Sequence, residues 1–237
     1  MKQGEPEQED EMRAEYDLSR LQGRTRGKYV ERYSMTVRDS RNLNVMPEIE
    51  TERLRLRPFV VADLAAMLRV RGDAAVNRYL TADGAQPSAA QIEADLLGVV
   101  ARWRENGYDR WAVVLKATGE LIGWCGLQPK PTHVDLGYGL ARAHWGRDLI
   151  TEAARASLRH GFEQLRLDAV TAIARAENVG SVRVMQKLGM KFLRRGPYLT
   201  HPDVVFYTIA RPDFCPDASL YIFRAKPDNT KAVTSDK

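Results

Sequence analysis

Cysteine and histidine are scarce in this chain, and their scarcity excludes two kinds of architecture. Only two cysteines, Cys125 and Cys215, occur among 237 residues. They cannot build a framework of paired disulfides, and they do not form the C-x-x-C spacing of a metal site. The four histidines, none of them in an HExxH motif, are His133, His144, His160 and His201. The sequence therefore predicts no structural or catalytic metal.

Long apolar runs are missing as well. No stretch approaches the roughly 20 apolar residues that a bilayer-spanning helix needs. The first residues, MKQGEPEQEDEMRAEYD, are acidic and lack the apolar centre of a secretory signal. We therefore expect a cytoplasmic protein that does not enter the membrane.

The charge of the chain is mildly basic, with a formal net charge of +5 and a pI of about 9.2. Such a balance suits a phosphate-rich ligand, a nucleic-acid surface, or simply a soluble surface with excess arginine. The arginines are spread along the whole sequence instead of forming one run. This distribution argues against a dedicated nucleic-acid surface, although RTRGKY near the N-terminus is locally basic.

Composition divides the chain into three parts. Residues 1–46 are polar and charge-rich, and we expect a flexible N-terminal extension. Residues 48–212 carry the apolar patterns of one folded domain. Residues 213–237 turn polar again and predict a frayed C-terminal tail, in which LYIF is the one segment that could dock. A chain of this length can bury one substantial core, and no internal repeat suggests a second.

Helices and strands mix along the central part. Leu54 and Leu56 alternate with arginines and predict a half-buried first strand. Helices are predicted from Asp63 to Gly72 and from Ser88, a good N-cap, to Arg104. Further strands are predicted at RWAVVLK, LIGWCGL, HVDLGYGLA, KFLRR and VVFYTIA, the first two joined by the turn ATGE.

The most informative stretch runs from Val134 to Met190. It begins with the strand VDLGYGLA, whose glycines mark either a close approach of other groups or relief of crowding. The turn HWGRDL leads into an amphipathic helix, whose N-terminus exposes N–H groups that suit a phosphate. A second helix begins at Asn178, a strong N-cap, and ends before Gly189.

Within this stretch, the motifs WGRDLITEA and NVGSVRVMQKLGM are typical of a known protein family. They resemble the acetyl-CoA-binding core of the GCN5-related N-acetyltransferase (GNAT) superfamily, and are most similar to the branch that includes RimJ and RimL. The resemblance implies an α/β (α+β) single domain: a mixed, mostly antiparallel sheet of six to seven strands flanked by helices. It also implies acetyl-CoA as cosubstrate and an amine acceptor, either a protein N-terminus or a small molecule.

The same resemblance implies a set of coenzyme-binding residues. In the family, the pantetheine arm lies in a gap beside the glycine-bearing strand, and the diphosphate binds at the start of the following helix. Arg142 and Arg147 add positive charge there, or are ordinary surface arginines. The implied positions are Leu140, Ala141, Arg142, Trp145, Gly146, Arg147, Asp148, Leu149, Ile150, Thr151, Asn178, Ser181 and Lys187.

Asp148 departs from the family pattern, which has a phosphate-facing glycine at this position and a small residue at Ile150. Aspartate is a good N-cap and would satisfy the N–H groups of the helix itself. The carboxylate would then occupy the anion site and repel a phosphate by roughly 3 kcal/mol at about 5 Å, for an effective dielectric constant of about 20. We expect coenzyme binding that is weakened, not lost.

Three residues are the catalytic candidates. Asp135 lies on the glycine face of the strand, where related enzymes often have a glutamate, and is the candidate general base. Ser181 is the candidate general acid for the departing thiolate. Tyr207 matches a recurrent tyrosine of the branch, or packs within the sheet. No Cys–His or Ser–His–Asp set is present, which fits direct attack without a covalent enzyme intermediate.

A different class of function stays open at this point. A catalytically silent binding module would keep the fold, and Asp148 with Ile150 favours that alternative. Asn178, Ser181 and the glycine-bearing strand favour an active enzyme. The acceptor is not fixed by the fold, since one scaffold hosts many acceptors. The oligomeric state is open too, with a homodimer as one alternative.

Overall fold

The computed structural model describes residues 45–81 and 84–227. Their main elements alternate between strands and helices. The strands are β1 Val45–Glu50, β2 Leu54–Arg57, β3 Arg110–Leu115, β4 Leu121–Pro129, β5 Val134–Leu140, β6 Ala169–Arg175, β7 Lys191–Tyr198, β8 His201–Ala210 and β9 Ile222–Pro227. The helices are α1 Leu64–Arg71, α2 Ala74–Asn77, α3 Ala89–Asn106, α4 Leu149–Glu163 and α5 Val179–Lys187.

The nine strands of the described ranges form one sheet in the order β7-β8-β6-β5-β4-β3-β2-β1-β9. Every neighbouring pair is antiparallel except β5 and β6, which are parallel. The predicted fold class, a mixed and mostly antiparallel sheet flanked by helices, is thereby confirmed. The strand number is higher than the six to seven expected from sequence, because β1 and β9 extend one edge.

Both additional strands lie where the sequence indicated polar ends. Strand β1 begins at Val45, inside the segment assigned to the N-terminal extension. Strand β9 pairs with β1 over six residue pairs, from Val45 opposite Pro227 to Glu50 opposite Ile222. The expectation of a frayed tail is therefore wrong for residues 222–227, and the second half of LYIF, Ile222 and Phe223, begins this strand. Residues 1–44 and 228–237 lie outside the described residues.

The predicted helix ends follow local capping chemistry. Ser88 accepts a hydrogen bond from the Gln91 amide, and the Gln91 side chain accepts one from the Ser88 amide, so α3 begins with a capping box. Gly107 ends the same helix in the left-handed conformation, with φ of 75°. The start of α3 thus agrees with the predicted N-cap, and the helix continues to Asn106, two residues beyond the predicted end at Arg104.

Helices cover both faces of the sheet. Trp124 and Cys125 are neighbours on β4, so their side chains point to opposite faces. The guanidinium of Arg71, on α1, lies over the Trp124 ring at 5.3 Å. On the other face, Ser157 of α4 contacts the Cys125 sulfur. The core between these layers is continuous, and its burial holds the central strands in place.

Candidate active site

Strands β5 and β6 separate after a single point of pairing. Asp135 lies opposite Thr171, and β5 pairs only with β4 from Gly137 to Leu140. The Ala141 amide donates to the Ile122 carbonyl on β4. Because backbone groups alternate in direction along an antiparallel pair, the amides of Tyr138 and Leu140 face away from β4. The sheet therefore has a gap on this side of β5, lined by main-chain polar groups.

Trp124 and Trp145 shape the rim of this gap. A Cβ atom on Gly139 would lie 2.2 Å from the Trp124 ring, so this glycine is needed for packing of the indole. Relief of crowding, one of the two explanations weighed from sequence for these glycines, agrees with this contact at Gly139. The Trp145 indole donates to the Leu140 carbonyl at 2.7 Å and ties the following turn to β5. Leu140 keeps its amide toward the gap.

The turn before α4 has an unusual backbone. Gly146 has φ of 72° and nothing within 4 Å of the place where a Cβ would stand. Asp148 has φ of 56° and ψ of 12°, a left-handed conformation that glycine and, less readily, aspartate or asparagine adopt. The backbone therefore keeps the geometry of a glycine at position 148 although the residue is an aspartate.

The Asp148 side chain does not cap the helix, which corrects the N-cap interpretation. Its Oδ1 accepts from Nζ of Lys187 at 2.5 Å, at the C-terminal end of α5, and from the Thr151 hydroxyl at 3.4 Å. The hydrogen bond from Lys187 holds the pKa of Asp148 below its ordinary value. The carboxylate is thus turned to a cation on a neighbouring helix.

The first residues of α4 can offer only their main chain. Leu149 is fully buried, and Ile150 packs against the core. Thr151 is buried too, with its hydroxyl directed to Asp148. The first N–H groups of a helix have no partner within it and carry partial positive charge. The Ile150 side chain, larger than the family pattern has at this position, packs against the core.

A clamp between the β1–β2 turn and α4 was missed from sequence. Glu152 accepts from the Thr51 hydroxyl at 2.6 Å and from the Arg53 amide and Nε at 2.9 and 2.7 Å. Arg53 also donates to the Arg147 carbonyl at 2.9 Å. Arg53 and Glu152 lie 99 residues apart in the sequence, so no local pattern indicates their contact. The clamp fixes the turn that precedes the helix.

Arg142, another of the implied coenzyme-binding cations, is exposed. Arg142 Nε lies 3.2 Å from Asp73, and its side chain is 67% exposed. The neighbouring residue, Ala141, continues the pairing of β5 with β4, because its amide donates a hydrogen bond to the Ile122 carbonyl. Both residues border a second, open depression of about 360 Å³, formed with α1 and the start of α2. If Arg142 reoriented toward a ligand, it would lose its exposed ion pair with Asp73.

Asn178 and Ser181 are placed by the start of α5. The Asn178 side chain accepts from the Ser181 amide at 3.2 Å, which confirms the predicted N-cap. The Tyr138 hydroxyl donates to the Ser181 carbonyl at 3.1 Å. This bond spans from β5 to α5 and places Ser181 beside the gap on the Tyr138 face.

Asp135 lies on the opposite face of β5 from Tyr138. Its Oδ1 is inaccessible to solvent and has no hydrogen-bond partner among the described residues. Burial raises the pKa of Asp135 to about 6, and Lys130 and Arg110 oppose the rise only in part. A carboxyl group with this pKa can accept a proton at neutral pH, as a general base requires.

Tyr207 is not brought together with Asp135. It pairs with Ala172 on β6, one position from Thr171, so it lies on the other face from Asp135. Its ring packs edge-on against Phe192 with centroids 5.7 Å apart, and it is buried. Sheet packing, the second of the two roles considered for Tyr207, agrees with this environment.

A cavity of about 390 Å³ begins at the first turn of α4. Its walls are the outer side of α4, Lys187 at the end of α5, the β1–β2 turn, and the segment 214–221 that leads to β9. The volume lies within the range of small-molecule sites. Asp148 and Thr151, at the start of α4, are among the residues that line the cavity.

Sequence and structure comparisons agree on one family. Residues 53–191 match the family model of the acetyltransferase (GNAT) domain. The chain is 38% identical over 94 residues to the "Uncharacterized protein YkkB" of Bacillus subtilis. The aligned region covers 37% of this chain and 55% of that relative. It is 27% identical over 151 residues to the "Uncharacterized N-acetyltransferase p20" of Bacillus licheniformis, with 62% and 83% covered. The chain belongs to the GNAT family, and its domain is an N-acetyltransferase domain.

Solved structures support the same fold. A GNAT-family acetyltransferase from Bacillus anthracis matches with a TM-score of 0.61 at 23% identity, covering 70% of this chain and 99% of the other. A ribosomal-protein-S5-alanine acetyltransferase from Vibrio fischeri matches with a TM-score of 0.55 at 19% identity, covering 71% and 99%. Both matches are below 25% identity, and they show that this chain shares the fold of these acetyltransferases.

None of the helices in residues 45–81 and 84–227 combines the length and apolarity that crossing a bilayer requires. Within the same ranges, no group of three or more histidine, cysteine or acidic side chains is placed to hold a metal ion.

Proposed function

We propose that the domain moves an acetyl group from acetyl-CoA to a primary amine by direct attack of the amine. The observation that carries this proposal is the gap between β5 and β6, with the Asp135 Oδ1 atom, which has no hydrogen-bond partner among the described residues, beside it and α4 following β5. The family match supports the transfer, and the amine acceptor and the mechanism are our own inference.

The residues present fit acetyl-CoA. The gap offers main-chain groups of Tyr138 and Leu140 to an extended arm, and the turn at Gly146 leaves open space before the α4 amides, where an anion is favoured. Asp148 is turned toward Lys187 and is not bound to those amides. When bound, acetyl-CoA supplies an acetyl group activated as a thioester.

Asp135 would remove a proton from the acceptor amine. A protonated amine has no lone pair for attack, so a base must accept one proton before or during the reaction. The Asp135 carboxylate lies beside the parallel pairing point where the gap begins. Its pKa of about 6 keeps it ionised at neutral pH, and the missing hydrogen-bond partner leaves Oδ1 able to accept.

The amide of Leu140 or Tyr138 would hold the negative charge that develops on the acetyl oxygen. Both face the gap, and fixed N–H donors stabilise such a charge without rearrangement. Ser181 would donate a proton to the leaving sulfur. Its amide is held by Asn178 and its carbonyl by Tyr138, so its position is fixed while its hydroxyl is left for this role.

The acceptor is a primary amine, and either a protein N-terminus or a small amine fits the proposal. Asp135 lies on the face of the sheet that carries Trp124 and α1, so the acceptor would approach from that side. The coenzyme site and the acceptor site would then meet in the gap.

Calorimetric titration with acetyl-CoA tests the first half of the proposal. We expect micromolar binding, and binding that is tighter for Asp148→Gly. An acceptor screen that detects free thiol then tests the second half, with Asp135→Asn as the inactive comparison. Failure of both the unmodified protein and the Asp148→Gly variant to bind acetyl-CoA, with folding verified by circular dichroism, would contradict the proposed function.

A further inference from the structure

The basic side chains that line the cavity beside α4 are all engaged with carboxylates. A diphosphate that binds at the start of α4 therefore meets cations that already have partners. The four pairs are Arg53 with Glu152 at 2.7 Å, Arg155 with Asp217 at 2.7 Å, Arg159 with Glu163 at 2.9 Å, and Lys187 with Asp148 at 2.5 Å.

The pair of Lys187 and Asp148 is the one most open to exchange. Its side chains are 53% and 61% exposed, whereas Glu152, in the Arg53 pair, is only 15% exposed and accepts two further hydrogen bonds. Asp148 also directly precedes α4 at the N-cap position, so the proposed anion site and this pair share one position. A lysine has a long, flexible side chain that can change partner without moving its backbone.

We propose that Lys187 changes partner when the coenzyme binds: Asp148 holds it in the free protein, and the diphosphate takes it over. This inference rests on the proposed function, since it requires that the diphosphate binds at the start of α4. It assigns Asp148 the role of a positioning residue that acts on the coenzyme through Lys187. It also explains how an aspartate is tolerated where the family has glycine.

The exchange has a measurable thermodynamic signature. If Lys187 stayed on Asp148 in the complex, the effects of removing either charge on affinity would add. If the ion pair breaks on binding, the free protein has its stabilising free energy and the complex does not. The effects of the two substitutions on the binding free energy then differ from their sum by that amount. An exposed ion pair of this kind corresponds to a factor of about two to five in affinity. Removing Lys187 should therefore cost more affinity when Asp148 is already neutral.

The experiment is a double-mutant cycle with acetyl-CoA as the titrated ligand. Asp148→Asn removes the charge and keeps a residue that tolerates the left-handed backbone, and Lys187→Met keeps the apolar stem. We expect Asp148→Asn to bind more tightly than the unmodified protein. We expect Lys187→Met to lose about two- to fivefold more affinity in the Asp148→Asn background than in the unmodified one.

A matched exposed pair serves as control. Asp203 lies 2.6 Å from Arg195 on the β7–β8 hairpin, away from the cavity, so Asp203→Asn combined with Lys187→Met should show no coupling. Equal losses from Lys187→Met in both Asp148 backgrounds would overturn the exchange while leaving the proposed function standing. Absence of binding by all four folded proteins of the cycle would overturn the proposed function, and the exchange with it.

Discussion

Asp135 sets the pH at which the proposed reaction runs. A general base must be ionised, and burial raises the pKa of this carboxyl to about 6. We expect kcat/KM to fall about tenfold for each pH unit below 6, and Asp135→Asn to lower kcat by about 10²–10⁴-fold at pH 8. A pH–rate profile of the free enzyme measures this. An unchanged acid limb in Asp135→Asn would exclude Asp135 as the base.

The ionised form of Asp135 that the proposed reaction requires lowers the stability of the folded protein. The pKa of Asp135 in the folded protein, about 6, lies above the ordinary carboxyl pKa of 3.8, so the folded protein binds the proton more tightly than the unfolded chain. This preference is fully expressed below pH 3.8 and is lost as the pH rises through 6. We expect Asp135→Asn to raise the free energy of unfolding at pH 8 by about 1–3 kcal/mol relative to the unmodified protein.

Urea titrations at pH 4 and pH 8 test this expectation. The gain from Asp135→Asn should shrink at pH 4, where the native carboxyl is neutral as well. Lost stability at pH 8 would show that the ionised Asp135 has a stabilising partner, which contradicts its assignment as a poised base. A gain in stability with a loss of activity is the pattern expected at a functional site.

Gly139 limits what β5 tolerates. A Cβ at this position would lie 2.2 Å from a rigid, buried indole, so either Trp124 or the strand must move. We expect Gly139→Ala to lower the free energy of unfolding by about 1–3 kcal/mol. Gly137→Ala is the matched control, because its Cβ would meet only the flexible Gln128 side chain at 3.4 Å. Equal effects of the two substitutions would contradict the packing explanation.

Among the elements, α4 depends on the clamp at its first turn. Glu152 holds both the side chain and the amide of Arg53, and it joins the β1–β2 turn to the turn before the helix. We expect Glu152→Ala to lower the free energy of unfolding by about 1–2 kcal/mol, since hydrogen bonds to charged groups are lost in a partly buried setting. Acetyl-CoA affinity should fall as well, because Arg53 also holds the Arg147 carbonyl.

Chemical denaturation and calorimetry of the same protein measure both effects. Glu93→Ala, on the exposed side of α3, is the control and should change neither quantity. If Glu152→Ala destabilised the protein without changing affinity, the clamp would support the fold alone. Such a result would contradict a role for the clamp in positioning the turn that is proposed to bind phosphate.

Elements built from local signals were predicted from the sequence, and those built from distant contacts were not. Asn178 caps α5 and Ser88 caps α3 as their spacing indicates, because each bonds to an amide three residues away. Asp148 shows the limit. Its local pattern predicts a helix cap, but the lysine that takes its side chain lies 39 residues further along the chain. No periodicity in the sequence reveals that contact.

For the molecule as a whole, the same limit explains the missed edge of the sheet. Strands β1 and β9 are far apart in sequence and contain charged residues, so each resembles a polar terminus by composition. They become strands by pairing with one another along six residue pairs. In addition, the Phe223 ring lies 5.2 Å from the buried His160 ring of α4. The C-terminal segment therefore closes the fold against both the sheet and the helix that carries the cavity.

Removing β9 should consequently weaken the entire domain. A chain that ends at Tyr221 loses the strand, its contact with His160, and the cover over the edge of β1. We expect the Tm to fall by about 4–8 °C, which corresponds to roughly 2 kcal/mol in a domain of this size. We also expect self-association in size-exclusion chromatography, because an uncovered edge strand pairs with other chains. A chain that ends at Pro227 keeps the strand and should match the full-length protein in both measurements. Equal melting of the two shortened chains would show that β9 contributes nothing to the stability of the domain.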